Sequence, residues 1–473
     1  MRSFWFEQAL QLDRSGCAPT LYGDTSADVC IVGGGYTGLW TAIQLKQASP
    51  QLDIAIIEAD MCGAGASGHN GGCMMTWSTK HFTLERLFGE AEALRLVRAS
   101  EQAIRDIAAF CREHAIDAQL RMDGTLYTAT NQAQHGSTDP VVARLDDLGA
   151  NSWQTLSPEE VRRRAGSRRH LSGIFSPVGA TVHPGLLVRG LRRVALEMGV
   201  RIYENTPMRA LERGQPPVVH TPQGAVRAGK VALALNASMP TEFPQFRRAV
   251  ILVSSDMIIT DPCPDRLAQI GPRDGIAVMD SRIFVYYYRT TTDGRLMLGK
   301  GGNTFAFGAR MLKVFDEPSP YRHALADSLR EFFPELSDVP ISASWNGASE
   351  RSATGLPFFA HLDGHPSIVY GFGYSGNGVG PTYIGGQFLS SLVLGLDNEW
   401  TRSPMAKGPL GRFPPEPFRY VGAIVVRNAV RRKERDEDLG RRPSWIDTRL
   451  AKLAAAAGKS DKGESGKGRG AIG

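Results

Sequence analysis

No stretch of this 473-residue chain holds the roughly eighteen consecutive apolar residues that a membrane-crossing helix requires, so no transmembrane span is expected. The opening Met1-Arg-Ser-Phe-Trp-Phe-Glu-Gln-Ala-Leu10 also lacks the apolar core of a signal peptide, which points to a cytoplasmic protein. Cysteine is sparse: Cys17, Cys30, Cys62, Cys73, Cys111 and Cys263 form no C-x-x-C pair and no zinc-like spacing. A disulfide framework and a zinc site are therefore not expected, and the thiols read as reduced. Charge of one sign is missing from the body. The net +6 comes from 54 basic and 48 acidic residues, and the stretch from Arg427 onward, with 13 basic against 7 acidic, accounts for all of it. Nucleic-acid binding wants a basic face on the folded domain, so that class is not expected. There is no hydrolase triad, metal constellation or P-loop.

What is present is glycine at meaningful spacing. Asp28-Val-Cys-Ile-Val-Gly-Gly-Gly-Tyr-Thr-Gly38 reads as a short buried strand entering a G-x-G-x-x-G turn, with a helix continuing over Leu39–Gln47. A second apolar strand, Asp53–Ile57, ends in Glu58, about twenty residues past the last glycine, as a dinucleotide fingerprint requires. Gly33 permits the tight turn, Gly35 lets backbone approach a pyrophosphate, and Gly38 lets the helix lie close to the strand. Tyr36 and Thr37 lie within that turn, and the helix N-terminus, with its unpaired N–H groups and positive dipole end, suits phosphate. Glu58, followed by Ala59, would accept hydrogen bonds from an adenosine ribose. Strand, glycines, helix, strand and acid in this order predict a dinucleotide site.

Residues 1–25 read as an N-terminal arm whose Phe4, Trp5 and Phe6 dock on the body. The loop Cys62–Gly72 carries Ser67, Gly68, His69, Asn70, Gly71 and Gly72. It is richer in glycine than a plain NAD domain needs, and it would let amides approach a flat ring system, favouring FAD. Helical periodicity covers Leu84–Cys111 and the stretch from Pro184 to Gly199. The strand Lys230–Leu235 leads to Ala237 on the adenine side. Residues 247–300 alternate as strand after strand (Ala249–Ile259, Arg282–Arg289, Arg295–Leu298) without crossover helices, which suggests an antiparallel sheet. Ile368–Val379 repeats the strand-to-glycine-loop pattern, with Gly373, Ser375, Gly376, Asn377, Gly378 and Val379, and Thr382–Leu396 is a helix.

Two glycine loops far apart in the chain imply one domain assembled from discontinuous segments. The expected fold class is α/β: a Rossmann-like FAD-binding domain from residues 26–116, 170–240 and 346–400, plus a largely antiparallel β-sheet substrate domain from 117–169 and 241–345. Residues 401–473 form a C-terminal extension with a basic helix at Arg427–Arg435 and a disordered tail from Gly458. A solvated tail and a contact with a membrane surface or partner both fit its composition.

The Gly33–Gly38 turn, Gly65-Ala-Ser-Gly-His-Asn-Gly-Gly72 and Gly373-Tyr-Ser-Gly-Asn-Gly-Val379 make residues 25–420 resemble the D-amino-acid oxidase superfamily of flavoproteins, which includes glycine and sarcosine oxidases. Gly34-Gly-Tyr-Thr-Gly-Leu39, Gly63-Ala-Gly-Ala-Ser-Gly68 and Tyr287-Tyr-Arg289 look most like its γ-glutamylputrescine and aminophosphonate oxidoreductases. Ser3-Phe-Trp5 and Met75-Thr-Trp-Ser-Thr79 lean toward the second group. The resemblance implies FAD, with Gly376–Val379 presenting amides to the pyrimidine side of the flavin. It implies oxidation of a CH–NH or CH–NH2 donor by hydride transfer to flavin N5, the imine then hydrolysing to an aldehyde. In some members a His at the position of His69 bears the flavin covalently; non-covalent FAD is the expectation, with a link at His69 the alternative. Met297 stands where some oxidases place a Lys over the flavin, and Lys300 follows, so the acceptor is O2 or another electron acceptor.

On the substrate side, Arg351 in Gly347-Ala-Ser-Glu-Arg-Ser-Ala-Thr354 resembles the site where glycine-oxidase-like members hold a carboxylate. Its fork of donors fits a carboxylate or phosphonate. Arg289 and Lys300 are alternatives, and His183 either lies near the site or caps the helix that follows it. Tyr286, Tyr287, Tyr288 and Trp345 are candidate aromatic walls, with strand alternation sending Tyr286 and Tyr288 to one face and Tyr287 to the other. The expected substrate is a small anionic amine, first 2-aminoethylphosphonate or its N-methyl form. The alternatives are γ-glutamylputrescine or an amino acid such as glycine or sarcosine. An electron-transfer or non-catalytic flavoprotein subunit is the reading from a different class.

Overall fold

The structure, a computed structural model, describes residues 2–13, 15–271, 274–458 and 460–461. Thr25–Val32 is buried without a break from Val29 onward, the burial of a central parallel strand covered on both faces. It pairs in parallel with Ile54–Ile57 on one side and Gly224–Leu233 on the other. Arg201–Tyr203 extends the first side and His365–Phe372 the second, also in parallel. Phe358–Leu362 closes that edge antiparallel. Strands from the beginning, middle and end of the chain thus lie side by side, and their carboxyl ends open onto one crevice.

The helix Tyr36–Ala48 packs on this sheet and against Pro381–Leu394. Gly386 permits the close crossing, because a Cβ there would stand 2.9 Å from that of Trp40. The helix expected over Leu84–Cys111 is two helices, His81–Phe88 and Glu90–Glu113, broken where Gly89 takes φ +82°.

The second sheet runs Ile341–Ser352, Val250–Thr260, Leu296–Phe305, Tyr286–Thr290, Ala277–Asp280, Thr125–Ala129, Ser172–Ser176, Gln154–Leu156 in spatial order. All its pairs are antiparallel except Ala277–Asp280 with Thr125–Ala129. Two strands lie across the boundaries expected from sequence. Ser172–Ser176 belongs to this second sheet, and Ile341–Ser352 runs through residue 346 while still paired with Val250–Thr260. Arg282–Phe284 are outside the strand, which starts at Tyr286.

The N-terminal arm folds as the helix Phe4–Leu12, its end capped by the Ser3 hydroxyl, which receives the Phe6 N–H and donates to the Gly68 carbonyl. Trp5 and Phe6 are buried. At Gly63 and Gly68 a Cβ would fall about 3 Å from the Phe6 ring, at 3.1 and 2.8 Å, so these glycines let the arm seat on the loop. Behind it, Glu204 is fully buried between Arg189 and Arg192, each 3.0 Å away, and accepts the N–H groups of Ala18 and Cys62. Burial would raise its pKa, but those N–H bonds and the two arginines outweigh it and hold the carboxyl below its ordinary value.

The basic helix of the C-terminal extension is longer than its charge suggests, Phe418–Asp438, and forms a hairpin with Trp445–Lys452. Disorder was expected from Gly458, yet Asp461 accepts from the N–H and hydroxyl of Thr83 and pairs with buried Lys80 at 3.6 Å. The rest of that tail, from 462, lies outside the described residues.

Candidate active site

A cavity of about 370 Å³ runs from the carboxyl ends of the parallel strands to the face of the second sheet. Its first end is built from backbone. Gly33 turns at φ +110°, a region that favours glycine, and a Cβ there would stand 2.6 Å from the Ala234 carbonyl. Gly35 is the N-cap of Tyr36–Ala48; the Ser67 hydroxyl takes the Tyr36 N–H, and Gly35, Tyr36 and Thr37 bring the remainder of the helix N-terminus to the cavity wall. Gly38 does not line the cavity; a Cβ there would sit 1.9 Å from the Gly33 carbonyl oxygen, so it sets the contact of helix and turn. Glu58 and Ala59 line the wall, with Glu58 accepting from Gly34 N–H at 2.7 Å and Asp60 N–H at 3.1 Å. Burial raises its pKa against those bonds. On the opposite wall stand Ala234, Leu235, Asn236 and Ser238; the expected Ala237 is buried behind them.

Ser67, His69, Asn70 and Gly71 line the middle. The Ser67 hydroxyl accepts from Tyr36 N–H at 2.9 Å, tying the two glycine loops together. His69 Nδ1 bonds the Gly65 carbonyl at 3.0 Å, and burial lowers its pKa, so the ring is neutral near pH 7. Gly68 packs on Phe6 and Gly72 on the Val182 carbonyl, both outside the lining.

The far end is built from side chains. Tyr287 lines it with its hydroxyl 2.9 Å from Ser255 Oγ, and Met257, Met279 and Val285 make it apolar. Ser349, Glu350 and Arg351 enter from Ile341–Ser352, and Gly376, Gly378 and Val379 from the late loop. Arg351 is half-buried; desolvation lowers its pKa against the attraction of Glu350, its Nη1 donates to Ser349 Oγ at 3.1 Å, and it forms no ion pair among the described residues. Gly376, at φ +72°, makes room for it, since a Cβ there would lie 2.2 Å from Nη1. Of the other late-loop residues, Gly373 packs on Phe358, Ser375 bonds Ser352 N–H, and Asn377 donates to the Thr76 carbonyl.

Six sequence candidates for substrate contact lie elsewhere. Tyr288 faces away from the cavity, donating to the Ala165 carbonyl and meeting His170 at 2.7 Å. Tyr286 shares that face, so the alternation is as expected. Arg289 sits behind the loop: it donates to the carbonyls of Gly71 and Val182 at 3.0 and 2.9 Å and stacks its charge over Trp5. Burial lowers its pKa to about 10. Lys300 lies 3.5 Å over the Tyr286 ring, outside the lining. His183 caps Pro184–Glu197 by accepting from Leu186 N–H, and burial lowers its pKa to about 3. Trp345 donates to the His69 carbonyl and stacks with the N-terminal aromatics, which makes it support for the loop.

Sequence reasoning passed over Glu350, Ser255, Met257 and Tyr374. Alternation along Val250–Thr260 groups Ser255 with Met257 on one face, a signal that was available. Glu350 carried none: strand alternation would set it on the face opposite Arg351, yet both line the cavity.

A profile of the family described as DAO, FAD dependent oxidoreductase, matches residues 28–392. Gamma-glutamylputrescine oxidoreductase of Escherichia coli (strain K12) is 30% identical over 410 residues, covering 85% of this chain and 93% of that protein. A probable oxidoreductase, OrdL, of Rhizobium meliloti (strain 1021) is 31% identical over 387 residues, covering 80% and 86%. The crystal structure of glycine oxidase from Geobacillus kaustophilus superposes with a TM-score of 0.67 at 20% identity, covering 80% of this chain and 98% of that one, a likeness of fold.

Proposed function

The chain belongs to the FAD-dependent oxidoreductase family, and on that premise we propose that it oxidises the C–N bond of a small amine carrying an anionic group. FAD is the cofactor, and the cavity suits it. The helix N-terminus at Gly35–Thr37 matches a pyrophosphate, and Glu58 stands where a ribose would follow. At Gly71, Gly347 and Gly376 a Cβ would press on Tyr287, His69 or Arg351, so the far end is kept broad for a flat ring system. The holding residues are then Gly33, Gly35, Tyr36, Thr37, Glu58 and Ala59 for the nucleotide, and Ser67, His69, Asn70, Gly71, Gly376, Gly378 and Val379 for the ring. When bound, FAD supplies the two-electron acceptor for the hydride leaving the substrate α-carbon.

One observation carries the substrate reading: Arg351 is a half-buried cation on the cavity wall that, among the described residues, forms no ion pair, Glu350 being the nearby acid that attracts it without bonding it. A partly desolvated guanidinium whose donors meet no carboxylate is costly, and a substrate carboxylate or phosphonate would complete its fork of donors. With its charge anchored there, the amine lies among Met257, Val285 and Tyr287. The apolar walls and the nearby guanidinium both favour the unprotonated amine, whose lone pair assists loss of hydride. Fixing that geometry contributes several kcal/mol through orientation alone. Water adds to the resulting imine and releases an aldehyde and the free amine or ammonia.

The first substrate is 2-aminoethylphosphonate or its N-methyl form. γ-Glutamylputrescine is the second, supported by the relative of that name. Among the described residues no lysine lines the cavity, which supports an electron acceptor other than O2. Anaerobic mixing of the purified protein with both, and with glycine and sarcosine, tests this through the visible flavin band. Bleaching by an aminophosphonate is expected; bleaching by γ-glutamylputrescine alone transfers the assignment; an unchanged band with every amine defeats the reading.

A further inference from the structure

The C-terminal helical hairpin lies beyond the family match, which ends at residue 392, and its outward surface has an unusual composition. Half of the large apolar side chains exposed on the described protein are here. Phe418, Val421 and Val425 follow helical spacing along Phe418–Asp438, and Trp445, Ile446 and Leu453 share one face from Trp445 onward. Between them Arg435, Arg441, Arg442, Arg449 and Lys452 are exposed and make no ion pair among the described residues. All the acids of the hairpin but the half-exposed Asp436 are turned inward or paired, Glu437 with Lys433. Glu434 and Asp447 are buried, Asp447 pairs with Arg432, and the exposed Asp438 pairs with Arg282. The hairpin is anchored rather than dangling. Val430 and Ala451 pack with Phe284, Glu434 accepts the Ile283 N–H at 3.1 Å, and Arg427 donates to the Asn303 carbonyl at 3.0 Å. These anchors adjoin Val285 and Gly301, which line the substrate end of the cavity.

We propose that this outer surface docks on an anionic lipid bilayer, holding the substrate end of the enzyme near the membrane without crossing it. Apolar side chains with tryptophan among unpaired Arg and Lys, and with most acids buried or paired, are the composition of an interfacial helix. The aliphatic stems bury at the acyl boundary while the cations stay among lipid phosphates. A second copy of the chain would set like charges against each other, and aliphatic residues offer a nucleic-acid backbone nothing. No helix among the described residues is long and apolar enough to span a bilayer, so the contact is peripheral. This inference is independent of which amine is oxidised.

The test uses the full-length FAD-loaded protein and sedimentation with vesicles of phosphatidylcholine alone or mixed with phosphatidylglycerol, at low and high salt. Binding to the phosphatidylglycerol vesicles, weakened by salt, is expected. The exposed-site variants Trp445→Ser/Ile446→Ser and Arg449→Glu/Lys452→Glu should each weaken it by roughly tenfold or more, with bound FAD and turnover unchanged. Failure to sediment with phosphatidylglycerol vesicles overturns the proposal, as does undiminished binding by both variants. A concentration-dependent dimer lost in the variants, or salt-sensitive binding to duplex DNA without vesicle binding, also overturns it, in favour of another copy or a nucleic acid.

Discussion

The two ends of the cavity are made in different ways. The nucleotide end is a backbone surface: glycine turns, a helix start behind a glycine N-cap and one acid at a strand terminus. The substrate end is a side-chain surface, where Tyr287, Ser255, Met257 and Arg351 converge from three strands of the second sheet. A backbone site tolerates almost no added atom, whereas a side-chain site tolerates exchange and pays for it in specificity. Damage at the first end should therefore remove cofactor and fold together, and damage at the second should change substrate use alone.

The largest effect expected is from Gly38→Val. Its Cβ would stand 1.9 Å from the Gly33 carbonyl oxygen, so the helix must leave the turn. The purified protein should be colourless and destabilised by more than about 4 kcal/mol, read from the flavin spectrum and denaturant unfolding. A yellow, stable variant would break the contrast between the two ends.

Next comes Arg351→Met, which should lower kcat/KM by roughly a thousandfold, about 4 kcal/mol, while leaving bound FAD unchanged. Arg289→Met is its control, since Arg289 braces Gly71 from behind and does not reach the cavity. That variant should lose FAD retention with KM little changed. If the two phenotypes are exchanged, the assignment of the arginines is reversed.

Smaller again is Glu204→Gln, expected to cost about 3 kcal/mol in thermal or denaturant unfolding because two buried arginines lose their shared partner. The folded carboxyl titrates below the ordinary 4.5, so its stabilisation is fully present above that pH and is lost as pH falls through the lower folded value. The wild-type protein should show that acid loss and the variant much less of it. Smallest is Tyr287→Phe. Losing the hydroxyl bonded to Ser255 should cost about 1 kcal/mol, a few-fold in kcat/KM measured with the reactive amine.

Most of the first end was legible in the sequence, because only glycine suits φ +110° at Gly33 or the contact at Gly38, and the spacing to Glu58 is one helix plus one strand. Of the second end, the alternation of Tyr286, Tyr287 and Tyr288 was readable, but not which face looked into the cavity. Arg289 and Arg351 show why. Both have their pKa lowered by desolvation, and neither forms an ion pair among the described residues. Only the position of their strands distinguishes them, since Tyr286–Thr290 directs Arg289 to the rear of the loop and Ile341–Ser352 directs Arg351 to the cavity. Helix lengths were misread where one glycine, Gly89, outweighed a continuous apolar period.

By itself the sequence determined the βαβ unit and the demand for a phosphate-bearing cofactor, since both follow from local constraints on φ and from the period of apolar residues. Tertiary structure alone decided which arginine meets the substrate side, that the N-terminal aromatics brace the cofactor loop, and that residues near 461 return to Lys80. These depend on register and on contacts between segments hundreds of residues apart, which no local pattern of side chains encodes.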